Sequence, residues 1–266
     1  MTVVTETPLA SRIAGKPRVV VTRRLLPETE MRMRELFDVA LNADDTPMGR
    51  DAIVAAMQDC DVLVPTVTDR IDGAMLAEAG SRLGLIANFG AGVDHIDLAA
   101  ARARKIVVTN TPSVFTDDTA DMTMAMIISV PRRLPEGSRM LLAGEWTGWG
   151  PSNFLGASLG GKRLAIIGMG RIGQAVAHRA RGFGLEVVYH NRHRLPPAIE
   201  NMLGARYEPD LDRLIAEADI LTLHCPASSG THHLLDASRI AAMKPGACVI
   251  NTARGDIVDE EALIAA

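Results

Sequence analysis

The stretch Lys162-Arg-Leu-Ala-Ile-Ile-Gly-Met-Gly-Arg-Ile-Gly173 constrains the fold more than any other part of this chain. Arg163 opens an apolar run of strand length that ends at Ile167. The run enters Gly168-Met169-Gly170-Arg171-Ile172-Gly173, a G-x-G-x-x-G turn. Helical spacing follows, with Ile172, Val176, Ala180 and Phe183 on one face and Gly182 and Gly184 at its end. The glycine motif alone is weak; strand, turn and helix in that order give it meaning. Gly168 permits a tight turn, Gly170 lets backbone approach a pyrophosphate, and Gly173 lets helix and strand pack closely. Free N–H groups at the helix start, Arg171 and Ile172 among them, present partial positive charge to phosphates. The stretch reads as a dinucleotide-binding turn, the alternative being a glycine-rich turn without a ligand.

The remaining sequence must supply a sheet around that strand, and 266 residues suffice for two ordinary α/β domains. Aromatic residues are only 3%, so the core must be aliphatic. A net charge of −4 implies no general affinity for nucleic acid. The three cysteines, Cys60, Cys225 and Cys248, are odd in number and far apart. They point to a reducing compartment and to neither a disulfide framework nor a zinc site. Residues 1–16 carry no apolar core of a signal peptide and read as a disordered tail. No apolar run reaches membrane-span length, so the expected location is cytoplasmic.

Upstream of the glycine turn, short apolar runs alternate with helical patterns. Strands are expected at residues 18–22, 39–41, 61–65, 85–88 and 106–108. Between them, helices are expected to start near Pro27, from a cap at Asp51, across 73–79, and from a cap at Asp97. That alternation indicates βαβ crossovers and a parallel sheet. A first domain over 17–113 and a second over 114–266 follow. Gly90, Ala91 and Gly92 lie just past the fourth strand, at the edge where open α/β sheets bind ligands. They form either a plain turn or a nest of N–H groups for an anion. Asn110-Thr-Pro-Ser113 reads as a hinge.

Residues 116–118 can cap a helix over 119–130 whose Met122, Met126 and Ile127 form an apolar face, and Pro131 ends it. So apolar a helix suits packing against another domain or subunit. Arg132, Arg133 and Arg139 are expected on solvated faces, and Trp146 and Trp149 as interface or core anchors.

Beyond the glycine turn, a strand over 185–190 leads to the position that reads the adenosine ribose. An NAD-selective site usually has an acid there, about 20 residues after the motif. Here Asn191, Arg192, His193 and Arg194 stand instead. An arginine forms charge-assisted bonds with a 2′-phosphate, each worth on the order of 1.5–3 kcal/mol. NADPH is therefore expected over NADH, with Arg192 and Arg194 as phosphate partners; the alternative is two solvated arginines on a turn. A further strand runs through 219–226 into Cys225 and Pro226. His232 and His233 lack partners at ligand spacing, so no metal is expected. A last strand delivers Thr252-Ala253-Arg254-Gly255 to the carboxyl edge. There Arg254 either reaches a cleft or forms a surface ion pair. A helix begins at Asp259.

Four segments together resemble the D-isomer-specific 2-hydroxyacid dehydrogenases, in their glyoxylate/hydroxypyruvate reductase branch. They are the run from Asn88 to Asp97, Asn110 to Ser113, the glycine motif, and Asn251 to Glu260. The resemblance implies a flavodoxin-like substrate domain beside a Rossmann dinucleotide-binding domain, both with parallel sheets, an NADP or NAD cofactor, and a homodimer. Gly90, Ala91 and Gly92 match the loop whose backbone holds the substrate carboxylate. Arg254 matches the catalytic arginine that pairs with that carboxylate and polarises the keto oxygen. Thr252 and Ala253 line the nicotinamide, Cys225 and Pro226 lie beside the adenosine, and Asn191, Arg192, His193 and Arg194 match the ribose-reading turn.

The resemblance also implies a catalytic Glu and His downstream of Arg254, and the chain ends before either. None of its seven histidines matches that motif. The expectation is an incomplete C-terminus, lacking the last Rossmann strands, and a 266-residue chain that binds cofactor poorly and is inactive or nearly so. Rival readings are a formate, phosphite or phosphoglycerate dehydrogenase of the same superfamily, or a non-catalytic dinucleotide-binding module.

Overall fold

The inner strands of the first half are apolar runs, Val19–Val21 and Val62–Val64, because both faces of the sheet are covered there. The computed structural model describes residues 15–266, and the chain divides between Val114 and Phe115 into two units. Residues 1–14 of the expected tail lie outside the described residues.

The first unit runs β1 (Arg18–Val21), α1 (Pro27–Leu36), β2 (Asp38–Ala40), α2 (Arg50–Asp59), β3 (Val62–Val64), α3 (Gly73–Glu78), β4 (Leu85–Ala87), α4 (Leu98–Ala103) and β5 (Val107–Thr109). All strand pairs are parallel, in the order β2-β1-β3-β4-β5, which is the flavodoxin-like order. Side chains alternate between the two faces. Val20 and Leu63 join Ile53, Met57, Met75 and Leu76 on one face. Val19, Val21, Val62 and Val64 meet Leu25, Met33 and Phe37 on the other. Arg104 closes the end of α3, where helical carbonyls lack partners. Its guanidinium donates to the carbonyls of Leu76, Ala77 and Ala79 at 2.6–2.7 Å.

In the second unit, α5 (Thr116–Ser129) and α6 (Leu134–Leu142) precede β6 (Arg163–Ile167), α7 (Arg171–Ala180), β7 (Glu186–His190), α8 (Pro197–Leu203) and β8 (Ala205–Tyr207). Then come α9 (Leu211–Ala216), β9 (Ile220–Leu223), α10 (Ala237–Ala242), β10 (Cys248–Asn251) and α11 (Glu260–Ala265). This sheet is parallel too, in the order β10-β9-β6-β7-β8. Five strands of the Rossmann arrangement are thus in place, with the glycine-motif strand β6 at the centre. Leu164, Ile166, Val187 and Tyr189 face α5 and α7 through Met124, Ile127, Val176 and Ala180. Ala165, Ile167, Val188 and Leu221 face the other helices through Leu214, Ile215 and Ile240. Both units use one device to seat the central strand. The residue just before the neighbouring strand, Asp61 or Asp219, accepts the first N–H of β1 or β6 at 2.8 Å.

Several local expectations need correction. The N-cap of α2 is Gly49, so Asp51 lies within the first turn. Helix α5 begins at Thr116 from Phe115 with no side-chain cap, and Asp117 and Asp118 sit in its first turn. Acids there favour the helix dipole whether or not they cap. After Ala180 the chain tightens into a 3-10 turn over Arg181–Phe183, so the period changes and Phe183 is exposed. Trp146 and Trp149 are exposed as well, not core anchors of this unit. Helices α6, α8, α9 and α10 and strand β8 have no counterpart among the expected elements.

Candidate functional site

The three motif glycines are glycines for three different reasons. Gly168 has φ +97°, and a Cβ there would lie 2.5 Å from the Cys225 nitrogen and 2.6 Å from the His224 carbonyl carbon. That backbone belongs to the turn after β9. Gly173 packs α7 onto the turn, since its Cβ would lie 2.3 Å from the Gly168 carbonyl oxygen. Around Gly170, by contrast, a Cβ would meet nothing within 4 Å. Gly170 is the N-cap of α7, and its carbonyl accepts the Gln174 N–H at 2.9 Å. Among the described residues, no acceptor meets the N–H groups of Gly170, Arg171 or Ile172. An open backbone with unmet donors at the start of a ten-residue helix suits a pyrophosphate. The residues present therefore fit a dinucleotide.

Four loops leave the carboxyl edge of this sheet beside that turn, after β6, β7, β9 and β10. Strands β6 and β9 are adjacent although separated in sequence, which marks the switch point where open α/β sheets bind ligands. After β7, the Asn191 side chain accepts the Met169 N–H at 3.1 Å and so ties the turn over 191–194 to the glycine turn. Arg192 and His193 are exposed, with no hydrogen-bond or ion-pair partner among the described residues. Arg194 differs. Its Nε and Nη2 donate to the two Glu200 oxygens at 2.9 and 2.7 Å. Of the two arginines expected at a phosphate, Arg194 is thus paired with a carboxylate, while Arg192 is not. That bond, with a second from the Tyr189 hydroxyl, holds the Glu200 carboxyl below its usual range.

Following β9, His224, Cys225 and Pro226 wall the glycine turn. Burial holds the His224 imidazole down at about 4 and raises the Cys225 thiol. The His224 ring is thus neutral near pH 7, and its Nε2 lies 3.0 Å from the Thr222 hydroxyl. Past β10, Asn251 shapes the segment carrying Thr252, Ala253 and Arg254. Its side chain accepts the Ala253 N–H at 3.0 Å and donates to the Arg254 carbonyl at 2.8 Å. Thr252 is reached from α5, where the fully buried Thr123 places its hydroxyl 2.9 Å from that of Thr252. Arg254 is half-buried, its Nη1 donating to the Ala253 carbonyl at 2.9 Å.

In the first unit, the loop after β4 is held open by two asparagines. The Asn88 amide donates to the carbonyls of Gly90 and Gly92 at 3.1 and 2.8 Å. The Asn110 amide donates to that of Ala91 at 2.7 Å. With those carbonyls turned away, the Ala91 and Gly92 N–H groups meet no acceptor among the described residues. The Gly90 N–H is already bonded to the Asn88 carbonyl. An anion nest here therefore rests on Ala91 and Gly92, with Gly90 fitted for space: its Cβ would lie 3.0 Å from Val67.

The positioning residues Asn88, Asn110, Thr123, Glu200 and Asn251 were not among the expected site residues. Asn88 and Asn251 do carry a signal, each being a polar residue that ends an apolar strand just before a glycine-containing loop.

Comparison with known proteins agrees with this geometry. Residues 124–266 match the family described as D-isomer specific 2-hydroxyacid dehydrogenase, NAD binding domain. A glyoxylate reductase of Thermococcus litoralis is 42% identical over 256 residues, spanning 94% of this chain and 76% of the relative. The chain thus spans about three quarters of that relative's length. Among solved structures, the TT0316 protein of Thermus thermophilus is 43% identical with a TM-score of 0.84, covering 93% of this chain and 77% of that one. A D-lactate dehydrogenase of Aquifex aeolicus, solved with NAD and lactic acid, is 28% identical with a TM-score of 0.78, over 93% of this chain and 72% of that one. An acyclic imino acid reductase solved with NADPH and D-Arg is 25% identical with a TM-score of 0.81, over 93% of this chain and 78% of that one. With its central glycine turn, two parallel sheets and these relatives, the chain belongs to the D-isomer specific 2-hydroxyacid dehydrogenase family, an oxidoreductase family using NAD(P).

Proposed function

We propose that this protein is a reductase of small 2-oxo acids of the glyoxylate or hydroxypyruvate type, with NADPH preferred over NADH. The observation that carries the reading is the open backbone at Gly170, with N–H groups on Gly170, Arg171 and Ile172 unmet among the described residues, and a basic turn after β7. The dinucleotide, when bound, supplies the hydride. Around it, the α7 N-terminus would hold the pyrophosphate, Asn191 and Arg192 the adenosine ribose and its phosphate, and Thr252 and Ala253 the nicotinamide. His193 adds a polar group at the ribose turn, and Cys225 and Pro226 wall the adenosine side. Arg254 would supply a fixed positive charge to the substrate carboxylate and to the keto oxygen as negative charge develops there, the largest kind of catalytic term in such reactions. In the first unit, the Ala91 and Gly92 N–H groups are suited to a carboxylate.

A proton must also reach the reduced carbonyl, a contribution of about 10²–10⁴-fold. No histidine of residues 1–266 carries the motif expected of that donor, so these residues alone should reduce glyoxylate slowly or not at all. Residues 17–113 form the substrate-binding domain and 114–266 the cofactor domain. Exposed Leu141, Leu142, Trp146, Trp149 and Leu155 support association into a homodimer. Three free cysteines support a reducing, cytoplasmic location. No helix among the described residues is long and apolar enough to cross a membrane.

Steady-state reduction of glyoxylate and hydroxypyruvate with each reduced cofactor, beside oxidation of formate with each oxidised one, tests the reading. A lower KM for NADPH than for NADH, and a preference for 2-oxo acids, are expected. An NADH KM as low as that for NADPH would defeat the cofactor assignment, and normal turnover by residues 1–266 would defeat the expectation of slow reduction.

A further inference from the structure

The turn after β7 is clamped from four sides. Asn191 Oδ1 accepts the Met169 N–H, and the Asn191 carbonyl accepts the Tyr207 hydroxyl at 3.1 Å. His190 Nδ1 lies 3.0 Å from the Glu208 carbonyl. At the far end, the Leu195 N–H donates to the Tyr189 hydroxyl at 2.8 Å, and that hydroxyl donates to Glu200 Oε1 at 2.7 Å. Glu200 also accepts both bonds from Arg194. Residues 190, 191, 194 and 195 are therefore fixed, and Arg192 and His193 stand between them without a described partner.

The Glu200 side chain is only 8% exposed, whereas that of Arg194 is 60% exposed. A nearly buried carboxylate that loses its partner leaves an uncompensated charge, which costs far more than a surface ion pair contributes. Moving Arg194 onto a phosphate would strand Glu200 in that way. The Arg194 guanidinium also lies 5.8 Å from the centre of the Tyr207 ring, and Tyr207 is itself 5.3 Å from Tyr189. Each of these contacts ties Arg194 to the wall behind the turn.

We propose that Arg194, Glu200 and Tyr189 form a positioning network that sets the shape of the ribose-reading turn, and that Arg192 alone reads the 2′-phosphate. This rests on the NADPH preference proposed above and removes Arg194 from the phosphate partners. Arg194 acts equally on both cofactors, because both share the adenosine ribose that the turn receives. Arg192 discriminates between them, because only NADPH carries the phosphate.

Equilibrium titration of NADPH and NADH against the wild type and four variants tests this, each measured well below its own melting temperature. Arg192→Ala should weaken NADPH on the order of 10–100-fold, the loss of one charged hydrogen-bonded contact, and leave NADH nearly unchanged. Arg194→Ala should weaken both cofactors by the same factor and preserve their ratio. Arg194→Lys, which keeps the charge and one bond, should restore part of both affinities. Tyr189→Phe, which cuts the link from Leu195 to Glu200, should again weaken both together. A selective loss of NADPH with Arg194→Ala would overturn the proposal, as would unchanged affinity for both cofactors. If the wild type does not distinguish the cofactors, the NADPH reading fails separately. An equal loss of both in Arg194→Ala would then still support the positioning role.

Discussion

Replacing Gly168 and Gly170 by alanine, one at a time, separates the structural glycine of the motif from the binding one. At Gly168 the backbone has φ +97°, and a non-glycine residue in left-handed backbone costs roughly 1–2 kcal/mol. The added methyl would also lie 2.5 Å from the Cys225 nitrogen. Backbone cannot rotate away as a side chain can, so the end of β9 must shift, at roughly 1–3 kcal/mol. Together Gly168→Ala should destabilise by about 2–5 kcal/mol. At about 2–4 °C per kcal/mol for a protein of this size, the melting temperature should fall by roughly 4–20 °C. At Gly170 the conformation is open to alanine and nothing lies within 4 Å. Gly170→Ala should therefore change stability by less than about 1 kcal/mol, and the stiffer unfolded chain can even make it a gain. It should instead weaken dinucleotide binding about tenfold or more, because the methyl occupies the approach of the pyrophosphate. Thermal unfolding followed by circular dichroism, beside a fluorescence titration of the reduced dinucleotide, reads both effects. The reasoning is refuted if Gly168→Ala melts with the wild type, or if Gly170→Ala loses stability while binding normally.

Other perturbations follow from the same contacts. Arg104→Ala strips the α3 carbonyls of three close bonds and should cost about 1–3 kcal/mol in denaturant unfolding. Because burial holds His224 down at about 4 from an ordinary 6.5, the unfolded chain takes up that proton first. Its contribution is complete above about pH 6.5 and is lost as pH falls toward 4, on the order of 3 kcal/mol in all. His224→Gln should flatten the stability profile in that window. Thr123→Val keeps the shape but removes the bond to Thr252; a loss of about 1 kcal/mol is expected, together with weaker binding of the nicotinamide end in calorimetry.

The inner strands were legible because they are buried on both faces, so β1, β3, β6 and β9 appear as largely apolar runs. The glycine turn was legible because a φ of +97° at Gly168, and sub-3 Å approaches at Gly168 and Gly173, admit no side chain. Helix α6 was not expected after Pro131, although Pro135 suits the first helical turn it occupies. Asp51 and Asp118 read as caps because an acid near a helix start serves a cap and a dipole alike. The commitment of Arg194 was illegible for another reason. Its partner Glu200 lies on the next helix, and only the packing of α8 beside β7 brings the two together. The same holds for Thr123 and Thr252, which lie 129 positions apart.

The most direct test of the account is equilibrium binding of NADPH and NADH to the unmodified chain, followed by nicotinamide fluorescence. Saturable binding of both is predicted, with NADPH tighter by about tenfold or more, as one charged contact to the 2′-phosphate requires. Absence of saturable binding by either dinucleotide, or tighter binding of NADH, would contradict it.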